Sequence, residues 1–275
     1  TRLRYKKWDR GKAIIPMVNT FRDLGACLNI TVKNCAPTLR ARVNKGIAMT
    51  RRLQGLPLPR DQKQQVIQSN ILPASLYGAE AAYVSDSTLQ PLRVAIAHTI
   101  GSKSARTSTD FLFNTTTAGI DLDPCIYVLM QRTAQLRRTL SKQPFRVEQV
   151  QASIGIYHDM PAVDDEQRKH WGPVGLWISS LRTIGAEVNI DLSISTASGM
   201  HIHLLHTQWG DVVEVLRREA ERQRTKQASG ARSHLAGLAA HDRTALGRIW
   251  PKLDDHATNV FKHIITGGAW AEGHL

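Results

Sequence analysis

No apolar run in these 275 residues approaches the ~20 that a membrane-spanning helix needs, so the sequence predicts no membrane partner. Cysteine is scarce. Cys27, Cys35 and Cys125 are odd in number and sit in apolar or mixed surroundings. That argues against a disulfide framework and for buried or free thiols in a reducing, intracellular compartment, the nucleus included. The basic N-terminal dozen residues are followed by no apolar stretch, so they do not read as a secretory signal. A start Met is missing as well, and the chain reads as a fragment of something longer. Absent too are the strong catalytic signatures: no P-loop, no dinucleotide-binding glycine fingerprint, no HExxH and no GxSxG. Aromatics make up 6% of the chain, which leaves few rings for stacking on bases. Of the tryptophans only Trp8, interleaved with Arg4, Lys6, Lys7 and Arg10, is placed for that role.

What is present is a charge asymmetry. Residues 1–106 hold 18 Lys or Arg against 5 Asp or Glu, the whole net charge of +13, while residues 107–275 carry 18 of each. An excess confined to one segment speaks about partners rather than fold. Basic side chains that neutralise phosphates release condensed counterions, so nucleic acid is the expected partner of the first segment.

Hydrophobic patterning predicts a mainly α chain. The stretch 13–31, rich in β-branched residues and broken by Pro16 and Gly25, reads as two short strands around a turn. Pro37 opens a helix in which Leu39, Val43, Ile47 and Leu53 keep helical spacing and the Gly55–Pro59 run stops it. Arg40, Arg42, Lys45, Arg51 and Arg52 fall off that apolar stripe, and buried unpaired Arg is costly, so an exposed basic face is expected. Gly46 is placed on that exposed face as a small residue, and Lys63 is grouped with the cations. A second helix starts at Asp61 and kinks at Pro73. A third, capped by Ser85 or Asp86, runs to Gly101 with Leu89, Leu92, Ile96 and Ile100 inward.

Residues 102–110 form a polar linker where the charge balance changes, and divide an all-α helical unit (34–104) from an extension (105–275). Within the extension, helices are expected at 124–140, 170–185 and 211–227, with two further short ones in 231–249 and 254–266. The segment 187–194 reads as a short strand. The fold class is therefore mainly α, with an N-terminal β-hairpin, a helical bundle and a mostly helical second part bearing one or two short strands.

His201, His203 and His206 are the best metal candidates, since His ligates divalent metals, but no Cys or local carboxylate accompanies them. A metal-dependent enzyme built on them is one alternative reading. Asp164-Asp165-Glu166 and Asp254-Asp255 read as helix starts favoured by the helix dipole rather than cation sites.

Phe21, Leu24 and Gly25 form a hydrophobic-x-x-Leu-Gly string. It is followed by the basic helix, then by Leu72-Pro73 and Leu76-Tyr77-Gly78-Ala79-Glu80. In order and spacing, over about 80 residues, these resemble the end of the palm and the thumb of a LINE-type, non-LTR retrotransposon reverse transcriptase. The resemblance implies that 1–33 closes the palm with a primer-grip-like hairpin and 34–104 is the thumb. The later segments, 172–176 and 265–275 among them, resemble a retroelement extension. It implies a grip on template-primer duplex or RNA–DNA hybrid through Arg40, Arg42, Lys45, Arg51, Arg52 and Lys63. It further implies structural roles for Leu72, Pro73, Leu76, Tyr77, Gly78, Ala79 and Glu80, and contact with the rest of the same polyprotein. The family's Tyr/Phe-x-Asp-Asp turn, which holds two Mg²⁺ for phosphoryl transfer, is missing here. The Mg²⁺ is thus expected in the parent enzyme's palm, and this chain binds no cofactor and carries no catalytic residue. The other alternative, from a different class, is a stand-alone nucleic-acid-binding or scaffold protein derived from such an element.

Overall fold

The structure, a computed structural model, describes the strand backbones at 5–8, 13–16, 20–23 and 26–29. It further describes residues 37–101, 108–114, 116, 118–159, 172–230, 248–249 and 252–265. Among these the chain is mainly helical.

Four N-terminal strands make two separate antiparallel hairpins: β1 (Tyr5–Trp8) with β2 (Ala13–Pro16), and β3 (Thr20–Asp23) with β4 (Ala26–Asn29). One hairpin was expected here and there are two, because residues 13–16 pair with 5–8 rather than with 26–29, which pair with 20–23. Phe21 lies opposite Leu28 in the second, while Leu24 and Gly25 lie outside the described residues.

Helix α1 (Pro37–Gln54) has Pro37 at its first position, as expected from a fixed φ and an N–H that would be unbonded anyway. It buries Leu39, Val43, Gly46, Thr50 and Leu53. Helix α2 (Arg60–Val66) leads into one π-helical turn (Ile67–Ile71) and then α3 (Leu72–Leu76). The kink expected at Pro73 takes this form: a residue without an N–H cannot complete the α ladder, and the turn before it widens instead. Helix α4 (Asp86–Ile100) starts on Ser85, whose side chain accepts from the Thr88 amide, and buries Leu89, Leu92, Ile96 and Ile100. α1 packs against α3 and α4, with β4 alongside it.

Beyond 102–107 come α5 (Thr109–Asn114), a 3₁₀ turn at Gly119–Leu122, α6 (Pro124–Lys142), α7 (Val147–Asp159) and α8 (Gly172–Thr183). A three-stranded antiparallel sheet follows, β5 (Ala186–Val188), β6 (Ser193–Thr196) and β7 (His201–His203), then α9 (Trp209–Gly230) and α10 (Asp255–Ile265). The single strand expected over 187–194 is two strands and a turn. Asp191 Oδ1 accepts from both the Ser193 amide and hydroxyl, and that local bonding turns the chain where the apolar alternation would have continued. Asp254 caps α10 through the Ala257 amide, the helix-start role expected of it. Asp164, Asp165 and Glu166 lie outside the described residues, as does most of 231–249.

The buried apolar side chains form one cluster that runs across the polar 102–107 segment, from Leu39, Leu92 and Ile100 through Phe113 and Ile126 to Trp177 and Leu216. Polar ties cross it as well. The Gln64 side-chain oxygen Oε1 accepts from the Ala118 amide at 3.1 Å. Arg93, on α4, pairs with Asp110 on α5 and with Asp123 at 3.0 Å, and Arg224 on α9 approaches the same two carboxylates at 3.8 and 3.3 Å. Two arginines and two aspartates balance one another out of water, which a buried charge requires. Burial opposes the Arg93 charge, but Asp123 and Asp110 more than offset that and raise its proton affinity.

Candidate nucleic-acid interface

Helix α1 carries five cations and no carboxylate. With about 100° between successive residues, Arg40, Arg51, Asn44, Ala48, Ala41, Arg52 and Lys45 occupy one continuous arc of roughly 140°. All seven are exposed. Asn44, Ala41 and Ala48 were not singled out from the sequence, although the same periodicity that finds the apolar stripe finds them. They leave a low strip between four long cations, over about 18 Å of helix at 1.5 Å per residue. Such a surface lets a polyanion approach closely while its phosphates meet guanidinium and ammonium groups on either side.

Three of the expected placements change. Gly46 is not on the exposed face: a Cβ there would sit 1.9 Å from Ser75 Oγ, so this glycine is where α1 touches α3. Arg42 is half-buried and occupied locally, donating to the Tyr77 carbonyl at 2.8 Å with its guanidinium 5.1 Å from that ring's centroid. Lys63 donates to the Gln54 carbonyl at 2.9 Å and so caps the end of α1. Arg40, Lys45, Arg51 and Arg52 remain as the outward set.

The Leu72–Glu80 signature explains itself structurally. Leu72, Leu76 and Ala79 are buried, Pro73 is partly covered, and Gly78 turns the chain with φ 89°, a left-handed value that glycine adopts without strain. Glu80 Oε2 accepts from the Gly78 amide and closes that turn. Arg132, on α6, is buried beneath it. Its five N–H groups go to the carbonyls of Ala79 (twice), Ala82 and Leu176 and to Ser180 Oγ. Burial pulls its guanidinium down to about 10, with Glu80 offsetting part of the effect, so it stays charged at neutral pH.

A cleft of about 90 Å³ beside Arg132 is lined by Tyr83, Cys125, Ser180 and Thr183 among others. Arg132 has no donor left to offer a ligand there. Cys125 is a free thiol, and burial, reinforced by Asp123, pushes it up to about 12 against the pull of Arg224 and Arg93. A thiol held protonated is a poor nucleophile and a poor metal ligand.

Of the three histidines, two come together. His201 Nδ1 bonds Ser195 Oγ at 2.9 Å, and His203 Nδ1 accepts from the Leu205 and His206 amides. The His203 and His206 ring centroids lie 4.1 Å apart, with the planes tilted by 36°. No group of three or more His, Cys, Asp or Glu able to hold a metal ion occurs among the described residues. Trp177 is core, bonded to Thr133 Oγ1 at 3.0 Å, and the Trp8 side chain lies outside the described residues. No described helix is long and apolar enough to cross a membrane.

Comparison of the chain with known protein families, with curated proteins and with solved structures finds no match in any of the three.

Proposed function

We propose that this chain grips nucleic acid through α1, as the thumb of a non-LTR reverse transcriptase whose catalytic palm residues are not in these 275 residues. One observation carries the reading: an 18-residue helix with no carboxylate whose exposed arc sets Arg40, Lys45, Arg51 and Arg52 around Ala41, Asn44 and Ala48. The family resemblance of the Phe21–Gly25 and Leu72–Glu80 strings supports the assignment to a thumb. An RNA–DNA hybrid is A-like, with a wide, shallow minor groove that a low helix face fits. Contacts from cations to phosphates carry no sequence information, which suits a polymerase that must slide over any template. The chemistry of polymerisation belongs to Mg²⁺-binding carboxylates outside this chain, so the purified protein should extend no primer.

The test is the salt dependence of hybrid binding by the full chain. Each neutralised phosphate adds about 0.7–0.9 to the log–log slope, so changing all four outward cations to Ala should lower it by roughly 3. Circular dichroism should be unchanged, since Ala favours helix and the buried stripe is untouched. A four-alanine variant with the wild-type slope would refute the proposal.

A further inference from the structure

In the string Leu76-Tyr77-Gly78-Ala79, three residues are buried and the largest is not. Leu76 and Ala79 are at most 2% exposed, whereas the Tyr77 side chain stands 50% exposed. Half of this residue lies outside the core, and the contacts around it orient the ring. Tyr77 ends α3 with φ −58° and ψ 123°, and the next residue is locked by its positive φ and by Glu80. Arg42 fixes the Tyr77 carbonyl and lays its guanidinium over the ring. Arg42 sits about 60° around α1 from Lys45, so the ring borders the basic arc. A pre-positioned aromatic face backed by a cation, next to a phosphate-binding strip, has the composition of a stacking platform for a nucleobase.

We infer that Tyr77 stacks on an unpaired base of the nucleic acid whose phosphates lie on α1. The inference rests on the nucleic-acid reading above and adds a preference for a single-stranded segment next to the duplex. Bases within a duplex present no free face, whereas an overhang does, and stacking tolerates every base. Arg42 thus acts as a positioning residue behind the ring.

The experiment compares full-length wild type with the variants Tyr77→Ala and Tyr77→Trp. The probes are a blunt RNA–DNA hybrid and the same hybrid with a four-nucleotide 5′ overhang carrying 2-aminopurine. Stacking of one base contributes about 1–3 kcal/mol, so Tyr77→Ala should weaken overhang binding about 5- to 150-fold. It should leave blunt-hybrid affinity and the salt slope unchanged. Tyr77→Trp should bind the overhang at least as well as wild type. Quenching of 2-aminopurine on binding should be present in wild type and Tyr77→Trp and lost in Tyr77→Ala. Equal overhang binding by wild type and Tyr77→Ala overturns the inference. So does an equal loss on both probes, which makes the ring a prop for Arg42 and leaves the α1 grip standing. Failure of wild type to bind either probe overturns the inference and the grip together.

Discussion

Replacing Gly46 by Ala tests how closely α1 and α3 approach, and hence where the basic face points. A new Cβ would meet Ser75 Oγ at 1.9 Å and Ser75 Cβ at 2.8 Å. Rotating the serine hydroxyl relieves the first contact but not the second, because the Ser75 Cβ is fixed by backbone. Carbon atoms pack at about 3.5–4.0 Å, so the two helices must part by about 1 Å. Overpacking of this kind costs about 1–3 kcal/mol. Ala returns about 0.8–1.0 kcal/mol of helix propensity, leaving a net loss of up to about 2 kcal/mol. For a chain of this size that is a fall in Tm of up to roughly 8 °C, measurable by circular dichroism or calorimetry. Ser75→Ala should restore only part of the loss, since its Cβ remains. In a Ser75→Gly background, Gly46→Ala should cost nothing further. A Gly46→Ala protein that melts above wild type would refute the close approach, and with it the assignment of Gly46 to the buried side.

Changing Arg93 to Met leaves the fully buried Asp123 and its neighbour Asp110 with Arg224 as their remaining cation among the described residues, and should cost about 3–5 kcal/mol in urea unfolding. A loss under about 1 kcal/mol would show that the four charges are not coupled. The Cys125 thiol, pushed up to about 12 in the folded chain from 9.0, stays protonated where the unfolded thiol has already ionised. The folded state then holds more protons, so stability falls as pH climbs from about 9 towards 12. This decline should be shallower in Cys125→Ala than in wild type, and identical slopes would contradict the shift. Cutting the chain within 102–107 should leave two pieces that do not fold separately, because each exposes its half of the shared cluster. Two native-like thermal transitions would refute that.

Much of the helical layout was legible because period and punctuation agree. Pro37, Ser85, the Asp123-Pro124 pair and Gly185 mark the ends that the structure shows, and Leu39, Val43 and Leu53 fall on the buried side as their spacing requires. Turn chemistry was harder. The 187–194 segment alternates like one strand, but the bonds Asp191 makes to Ser193 bend it, and such local competition leaves no trace in hydrophobic period. The basic face was legible as a set of charges and misjudged in its members. Whether Arg42 points to solvent depends on Tyr77, 35 residues away, and nothing in spacing reveals that contact. Gly46 was misplaced for a related reason: a residue without a side chain carries no amphipathic signal, so only the partner helix decides its side. Arg132, tied to four residues from Ala79 to Ser180, has no motif at all.

The shared core has a consequence for how this protein can change. A segment with all of a chain's excess charge repels itself, and that cost must be met by cohesion elsewhere. Here the electrically neutral portion supplies it. Phe113 and Ile126 extend the apolar mass, Asp110 and Asp123 neutralise Arg93, and Arg132 ties down the turn that holds Tyr77. The neutral portion works as ballast. It lets the cationic helix shed or gain arginines on its outer arc without endangering the fold.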